Sequence, residues 1–368
     1  MAAPDPLSNG ILDIVKVKKV RSKGRCLVTN ENLASGTVVM KEETPCAIVT
    51  EEWRDNVCDN CLFRPKCILD SLPLSCPQCC CVSYCSEECL STASDKWHAH
   101  ECQALQQLYG ILHEGGLDGA SDTYSLARFL IRIIAIACHD GSFADCFGAL
   151  HGRDADLRQL KRWDDLQKIG RVVSASLTPA CTGSQQFGLE AVMDYVAKEE
   201  WNSFAIRYTK AERDTAGQRL KAGDEGMFAY AIAPSSSLLN HSCCPNVFKR
   251  WDGRTLLMQA VRPIRQGEEL CHSYVIPSHN TSRRLRELGE NHGFECSCKR
   301  CEDRGYELDW MELFVCPRTE CGGLLCPIAR PVAAEEDEEP DDEVLVVCQW
   351  CAEPQYVEKD ALDRLEHT

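Results

Sequence analysis

Cysteine carries the clearest chemistry in this 368-residue chain, because its 26 copies are clustered rather than scattered. The first cluster reads Cys58-x2-Cys61, Cys76-x2-Cys79, Cys85-x3-Cys89 and His98-x3-Cys102. Steps of two or three residues let two side chains reach one tetrahedral ion, with bonds of about 2.3 Å to sulfur, and a later pair completes the site. Four pairs suit two zinc ions. A second cluster, Cys296-x-Cys298-x2-Cys301, offers three thiolates, which cannot close a tetrahedral site alone. Cys243, in the segment NHSCCPN, is a candidate for the fourth. The third cluster is Cys316-x4-Cys321 followed by Cys348-x2-Cys351, the form of a zinc ribbon whose knuckles are joined by a long loop, with Cys326 as a competing thiol. Sites with four protein ligands have no open position for hydrolysis, so zinc here is structural.

Metal ligation rather than disulfide bonding follows from compartment. The N-terminal MAAPDPLSNGILDIVK lacks the basic-then-apolar layout of a secretory signal. The most apolar stretch, Tyr124 to Cys138, is short and interrupted by Arg128 and Arg132. It reads as a buried or amphipathic helix, not a membrane span. The chain is expected in the cytoplasm and nucleus, where thiols stay reduced. A net charge of −16 argues against binding to a nucleic-acid backbone. Half of that charge lies in the run Glu335–Glu343, EEDEEPDDE, which reads as a solvated linker.

Two further segments stand out: SLLNHSCCPN over 237–246 and GEELCHSY over 267–274. Cys271 and His272 look like a nucleophile and its base, but neighbours on a strand face opposite sides, which argues against a thiol hydrolase. Taken in order and followed by the three-cysteine knuckle, the segments resemble the paired signature of SET methyltransferases, NHSCxPN and GEELxxSY. Lys23-Gly24-Arg25-Cys26, followed by Gly36, resembles the KGxG opening of that domain. The first cysteine cluster, with Tyr84-Cys85-Ser86 and with Trp97 beside its last His and Cys, resembles the MYND finger. A SET domain interrupted by a MYND finger is the arrangement of the SET-and-MYND family, and the resemblance covers nearly the whole chain. A chain ending after the ribbon is closest to the shorter, arthropod-type layout.

The resemblance implies an S-adenosylmethionine-dependent protein-lysine N-methyltransferase acting on histone or non-histone proteins. It implies interleaved zinc pairs, with Cys58, Cys61, Cys85 and Cys89 on one ion and Cys76, Cys79, His98 and Cys102 on the other. His98 is preferred to His100 because it keeps the usual step to the final Cys. Tyr274 falls at the methyl-transfer point. Lys23, Gly24, Arg25, Asn202, Asn240, His241, Tyr274 and Phe294 fall at the cofactor, with Phe294 stacked on adenine. Phe204 and His292 become walls of the lysine channel, and Cys243 ties the catalytic loop to the knuckle. The finger would recruit proline-rich peptides, and the chain is expected to be a monomer. Cys26 replaces the second glycine of the opening, and His292 stands where many members carry an aromatic residue. An alternative therefore remains, a weak or inactive SET-MYND scaffold acting as a transcriptional co-regulator.

The expected architecture is α+β, a pseudoknotted SET fold of short strands. Residues 1–57 form its first part and 58–102 the finger. Residues 103–200 make a helical insert, 201–275 the catalytic core, 276–311 the post-SET knuckle and 312–368 the ribbon with its acidic linker. Strand character shows at Lys16–Val20 and at Val38–Met40. Breaks in the helical periodicity fall at 114–122 and 178–184, and 213–225 reads as a charged loop or short helix.

Overall fold

The structure, a computed structural model, describes residues 7, 11–20, 24–65, 71–114, 121–152, 157–158, 160–207, 227–277, 279, 281–302, 316–318, 321, 325–327, 343–348, 351 and 353–358. Lys23, the segment 213–225 and nearly all of the acidic run lie outside them.

Strands Val15–Val20 (β1) and Gly24–Thr29 (β2) form an antiparallel hairpin. β1 is the edge of its sheet, and its exposed Lys16, Lys18 and Lys19 discourage pairing with another chain. Val38–Glu43 (β3) and Cys46–Val49 (β4) follow, and every β4 residue is buried. The finger contributes only Leu74–Ser75 (β5) and Ser83–Tyr84 (β6) as strands. Its helix Glu87–Ala93 (α1) is capped by Ser86, whose side chain accepts a hydrogen bond from the Cys89 amide. A single π turn, Ser94–His98, then leads into Ala99–Glu114 (α2). The finger's last ligand, Cys102, thus sits on the first helix of the insert, and the expected boundary at 102 falls inside that helix. Ser121–His139 (α3), Gly141–Gly148 (α4), Trp163–Ser176 (α5), Pro179–Thr182 (α6) and Leu189–Asn202 (α7) complete the helical block. The second expected break holds the one-turn α6, which ends on Gly183 in the left-handed region.

Strands resume with Ser203–Arg207 (β7) and Met227–Ile232 (β8), which pair with each other and, through β8, with β4. Asn240–His241 (β9), Val247–Asp252 (β10), Thr255–Ala260 (β11) and Glu269–His272 (β12) build the remaining sheets, ordered β1-β2-β12-β9 and β10-β11-β3. Thr281–His292 (α8) and Lys299–Glu302 (α9) carry the knuckle. The ribbon is a separate sheet of Leu325–Pro327 (β13), Glu343–Cys348 (β14) and Pro354–Glu358 (β15). Among the described residues its core is Cys316, Cys321, Leu325, Val346, Cys348 and Cys351, a cluster made mostly of the candidate metal ligands.

Helix α3 is the buried helix expected from Tyr124–Cys138, and no helix among the described residues is long and apolar enough to cross a membrane. The two arginines that interrupt its apolar run are fully buried and join the finger to the SET strands. Arg128 donates to the Val49 carbonyl at 2.8 Å and pairs with Asp59. Arg132 reaches the Ala47 carbonyl at 2.8 Å, Asp59 Oδ2 at 2.7 Å and Glu101 Oε2 at 2.7 Å. Asp59 follows the ligand Cys58, and Glu101 precedes the ligand Cys102, so both acids belong to the finger. Burial pushes the Asp59 carboxyl up, but Arg128 and Arg132 outweigh it and hold the group below the usual carboxylate range. Removing one partner would strand buried charge. Arg132→Met should therefore lower stability by about 3–5 kcal/mol, read as a fall in the denaturant midpoint.

Candidate functional site

The two signature segments meet because β9 and β12 pair in parallel, Asn240 beside Cys271 and His241 beside His272. Polar residues of the motifs fix that pairing. Asn246 accepts from the Cys271 amide at 2.8 Å and donates to the Glu269 carbonyl at 2.8 Å. The Ser242 amide donates to the His272 carbonyl at 3.0 Å. The Asn240 side chain donates to Glu269 Oε1 at 2.8 Å and to the Arg25 carbonyl at 3.3 Å. One loop is thereby held to both β12 and β2.

Tyr274 stands just past β12, where rings from several segments meet. Its phenol donates to the Leu239 carbonyl at 2.8 Å. Burial raises its pKa well above the ordinary value, so the hydroxyl stays protonated. With its one proton committed to Leu239, the oxygen can meet a ligand only as an acceptor. The Tyr274 ring packs against His272 and His292, with centroids 4.9 and 5.0 Å away. Phe204 stacks behind His272 at 6.0 Å, and Lys249 lies 5.4 Å over the Phe204 ring. Tyr274, His272, His292 and Lys249 line a cleft of about 490 Å³. Tyr274 also meets His241 at 5.3 Å and Phe294 at 6.3 Å, and neither of these lines the cleft.

The histidines of this site are neutral. Burial pushes His241 and His292 down to about 4, and Lys249 and Arg162 add to the effect on His292. His272 lies well below its ordinary value for the same first reason, burial. Burial and then Arg207 push Lys249 down to about 8. His292 should titrate near 4 by NMR instead of 6.5. Between those values the unfolded chain binds a proton that the folded ring refuses. Its contribution to stability is therefore present above pH 6.5 and is lost as pH falls towards 4.

His241 has both ring nitrogens engaged. Nδ1 accepts from the Tyr274 amide at 2.9 Å, which leaves the proton on Nε2, 3.2 Å from Cys243 Sγ. The ring thus links Tyr274 to the knuckle's metal cluster, and only its faces and backbone remain for a cofactor. The Asn202 amide donates to the carbonyls of His151 (2.6 Å) and Lys198 (2.7 Å), so those donors brace the fold. Cys26 turns its thiol to the Lys18 carbonyl at 3.4 Å and packs into the sheet. Arg25 reaches the Ala149 carbonyl at 2.5 Å. Two cleft residues were not expected. His272 shares the buried face of β12 with Leu270, as alternation alone implies. Lys249 interrupts the Val247, Trp251 face of β10, and a lone lysine between such residues was the available signal.

The donor set beside His241 suits S-adenosylmethionine. The Phe294 ring is 36% exposed and free to stack. Gly24 has a φ of +74° with open space where a side chain would project, so backbone can approach a ligand there. Gly293 ends α8 at φ +67° close to Trp201, and this turn presents Phe294.

The four metal clusters assemble as the spacing and the family resemblance together implied. Cys58, Cys61, Cys85 and Cys89 come together, as do Cys76, Cys79, His98 and Cys102. Cys243 joins Cys296, Cys298 and Cys301, and Cys316 and Cys321 join Cys348 and Cys351. Within each group all ligand atoms lie within 4.8 Å of one another. Zinc–sulfur bonds of about 2.3 Å in a tetrahedron put sulfurs about 3.8 Å apart. The separations are 3.6 Å for Cys61–Cys85, 3.8 Å for Cys76–Cys102, 3.5 Å for Cys243–Cys301 and 3.6 Å for Cys316–Cys351. Those distances fit zinc and are far too long for disulfides. His98 turns Nε2 towards Cys79 at 3.6 Å and Nδ1 towards Glu101 at 3.2 Å, the usual support for a metal-bound imidazole. His100 instead stacks on His139, ring centroids 3.7 Å apart.

A SET-domain family model matches residues 24–275, more than half of the chain. The chain is 22% identical over 344 residues to a SET and MYND domain-containing protein of Dictyostelium discoideum, covering 84% of this chain and 88% of that protein. It is 25% identical over 318 residues to the histone-lysine N-methyltransferase ASHR2 of Arabidopsis thaliana, covering 81% and 74%. It is 26% identical over 320 residues to the histone-lysine N-methyltransferase SMYD3 of Homo sapiens, covering 82% and 64%. The chain belongs to the SET-domain family, and its inserted zinc finger makes it a SET-and-MYND member.

Proposed function

We propose that this protein is a protein-lysine N-methyltransferase that uses S-adenosylmethionine, with Tyr274 as the wall between cofactor and substrate. The position of Tyr274 carries the reading: its ring meets His241 and Phe294, which do not line the cleft, and also His272 and His292, which do. When bound, S-adenosylmethionine supplies a methyl group activated by its sulfonium. Phe294 would stack on the adenine. Backbone at Gly24, Arg25 and Asn240 would hold its polar parts.

The acceptor amine enters from the cleft. A lysine ammonium must lose its proton before it can attack, and two features here favour the neutral amine. The walls are neutral rings, which solvate charge poorly, and Lys249 adds a like charge nearby. Tyr274 Oη, with its own proton held by Leu239, accepts a hydrogen bond from the amine and orients its lone pair. Catalysis is then mostly positioning, which suits an in-line transfer. Phe204 and His292 act as channel walls, Phe204 through its stack on His272.

The scaffold alternative is not favoured, because Asn240, His241, Tyr274 and Phe294 gather in one place around intact hydrogen bonds. Placement in the cytoplasm and nucleus, a monomeric state and capture of proline-rich peptides by the finger belong to the same proposal. They rest on the family resemblance and on thiols kept reduced for zinc. Titration calorimetry with S-adenosylmethionine tests the core of it. Saturable binding is expected, and no binding at high micromolar cofactor would contradict the enzyme reading.

A further inference from the structure

The charge of the cleft is opposite to that of the chain. The protein carries a net charge of −16, yet among the described residues lining the cleft four are cationic: Arg64, Arg207, Lys249 and Arg250. The one acidic residue among those described, Glu287, is already paired with Arg283 at 2.7 Å and with His279 at 3.1 Å. The cations come from separate parts of the chain, which lets them surround a bound segment. Arg64 belongs to the finger and lies over the Phe228 ring at 4.5 Å. Arg207 ends β7, and Lys249 and Arg250 are adjacent on β10. Arg250 is exposed, and Lys249 is pushed down first by burial and then by Arg207. Desolvated walls strengthen such a field, and complementary charge both speeds association and excludes like-charged partners.

We propose that the cleft selects lysines flanked by aspartate and glutamate, an acidic protein segment rather than a basic tail. This rests on the methyltransferase reading for the reaction, but the charge preference is measurable without it. The test uses three fluorescent peptides of equal length with one central lysine, flanked by acidic, neutral or basic residues. Binding to the full chain is followed by anisotropy without cofactor. The acidic peptide should bind on the order of tenfold tighter than the basic one, and the gap should shrink as salt is raised. Arg250→Glu and, separately, Arg64→Glu should narrow or reverse the order while leaving affinity for S-adenosylmethionine unchanged. Arg250 is exposed, so its variant remains informative if loss of the Arg64–Phe228 contact unfolds the other. Equal binding of the three peptides, or tighter binding of the basic one, would overturn the proposal. An acidic preference in a chain that binds no S-adenosylmethionine would instead remove the enzyme reading and leave this surface standing.

Discussion

Replacing Tyr274 by phenylalanine should lower the rate of methyl transfer by about a hundredfold or more while cofactor affinity stays nearly unchanged. The substitution keeps the ring that packs on His272, His292, His241 and Phe294 and removes only the hydroxyl. That hydroxyl makes one hydrogen bond, to the Leu239 carbonyl, and losing it costs about 1 kcal/mol of stability. The fold should survive, so a rate loss reports on the reacting centre. Steady-state kinetics beside calorimetry separates the outcomes. Equal losses of rate and cofactor affinity would mean that the hydroxyl serves binding and not the acceptor amine.

Cys243→Ser should do what Tyr274→Phe does not, abolishing both cofactor binding and transfer and releasing one zinc per chain. Cys243 lies three residues after Asn240 and shares its site with Cys296, Cys298 and Cys301 of the knuckle. Two contacts converge on it: its thiolate receives the His241 ring, and its carbonyl accepts from Arg300 at 2.9 Å, an arginine that also reaches the Pro277 carbonyl at 2.8 Å. Structural zinc supplies apparent binding energy on the order of 10–16 kcal/mol in small sites. Without it nothing comparable fastens the knuckle, and Phe294, two residues before Cys296, loses its support. Metal analysis should find four zinc ions in the parent chain and three in the variant. A variant that keeps four, or that binds cofactor normally, would break the link between metal and catalytic loop.

Much of this was legible in the sequence because metal chelation and sheet bracing leave local marks. Thiolates two or three residues apart have few other uses in a reducing compartment, and all four clusters could be read from spacing and family likeness. The motif NHSCCPN is legible for a related reason. Asn246 needs the backbone of β12 as its partner, so the two motifs occur together and in order. What escaped was direction. A sequence does not say where an amide points, and Asn202 spends its donors on the fold. Nor does it reveal that two arginines in an apolar helix meet Asp59 and Glu101, because those partners lie 31 to 73 residues away. The cationic cleft was hidden for the same reason. Arg64, Arg207 and Arg250 belong to the finger and to two different strands, and only the fold brings them together.

The central claim is that this SET-and-MYND chain moves a methyl group across Tyr274 to a lysine amine. Incubating the purified zinc-loaded protein with radiolabelled S-adenosylmethionine and lysine-containing peptides, beside Tyr274→Phe, tests it directly. Label should appear on lysine with the parent chain and fall to near background with the variant. No label on any lysine substrate from a chain that binds cofactor and holds its zinc, or equal labelling by the two proteins, would contradict it.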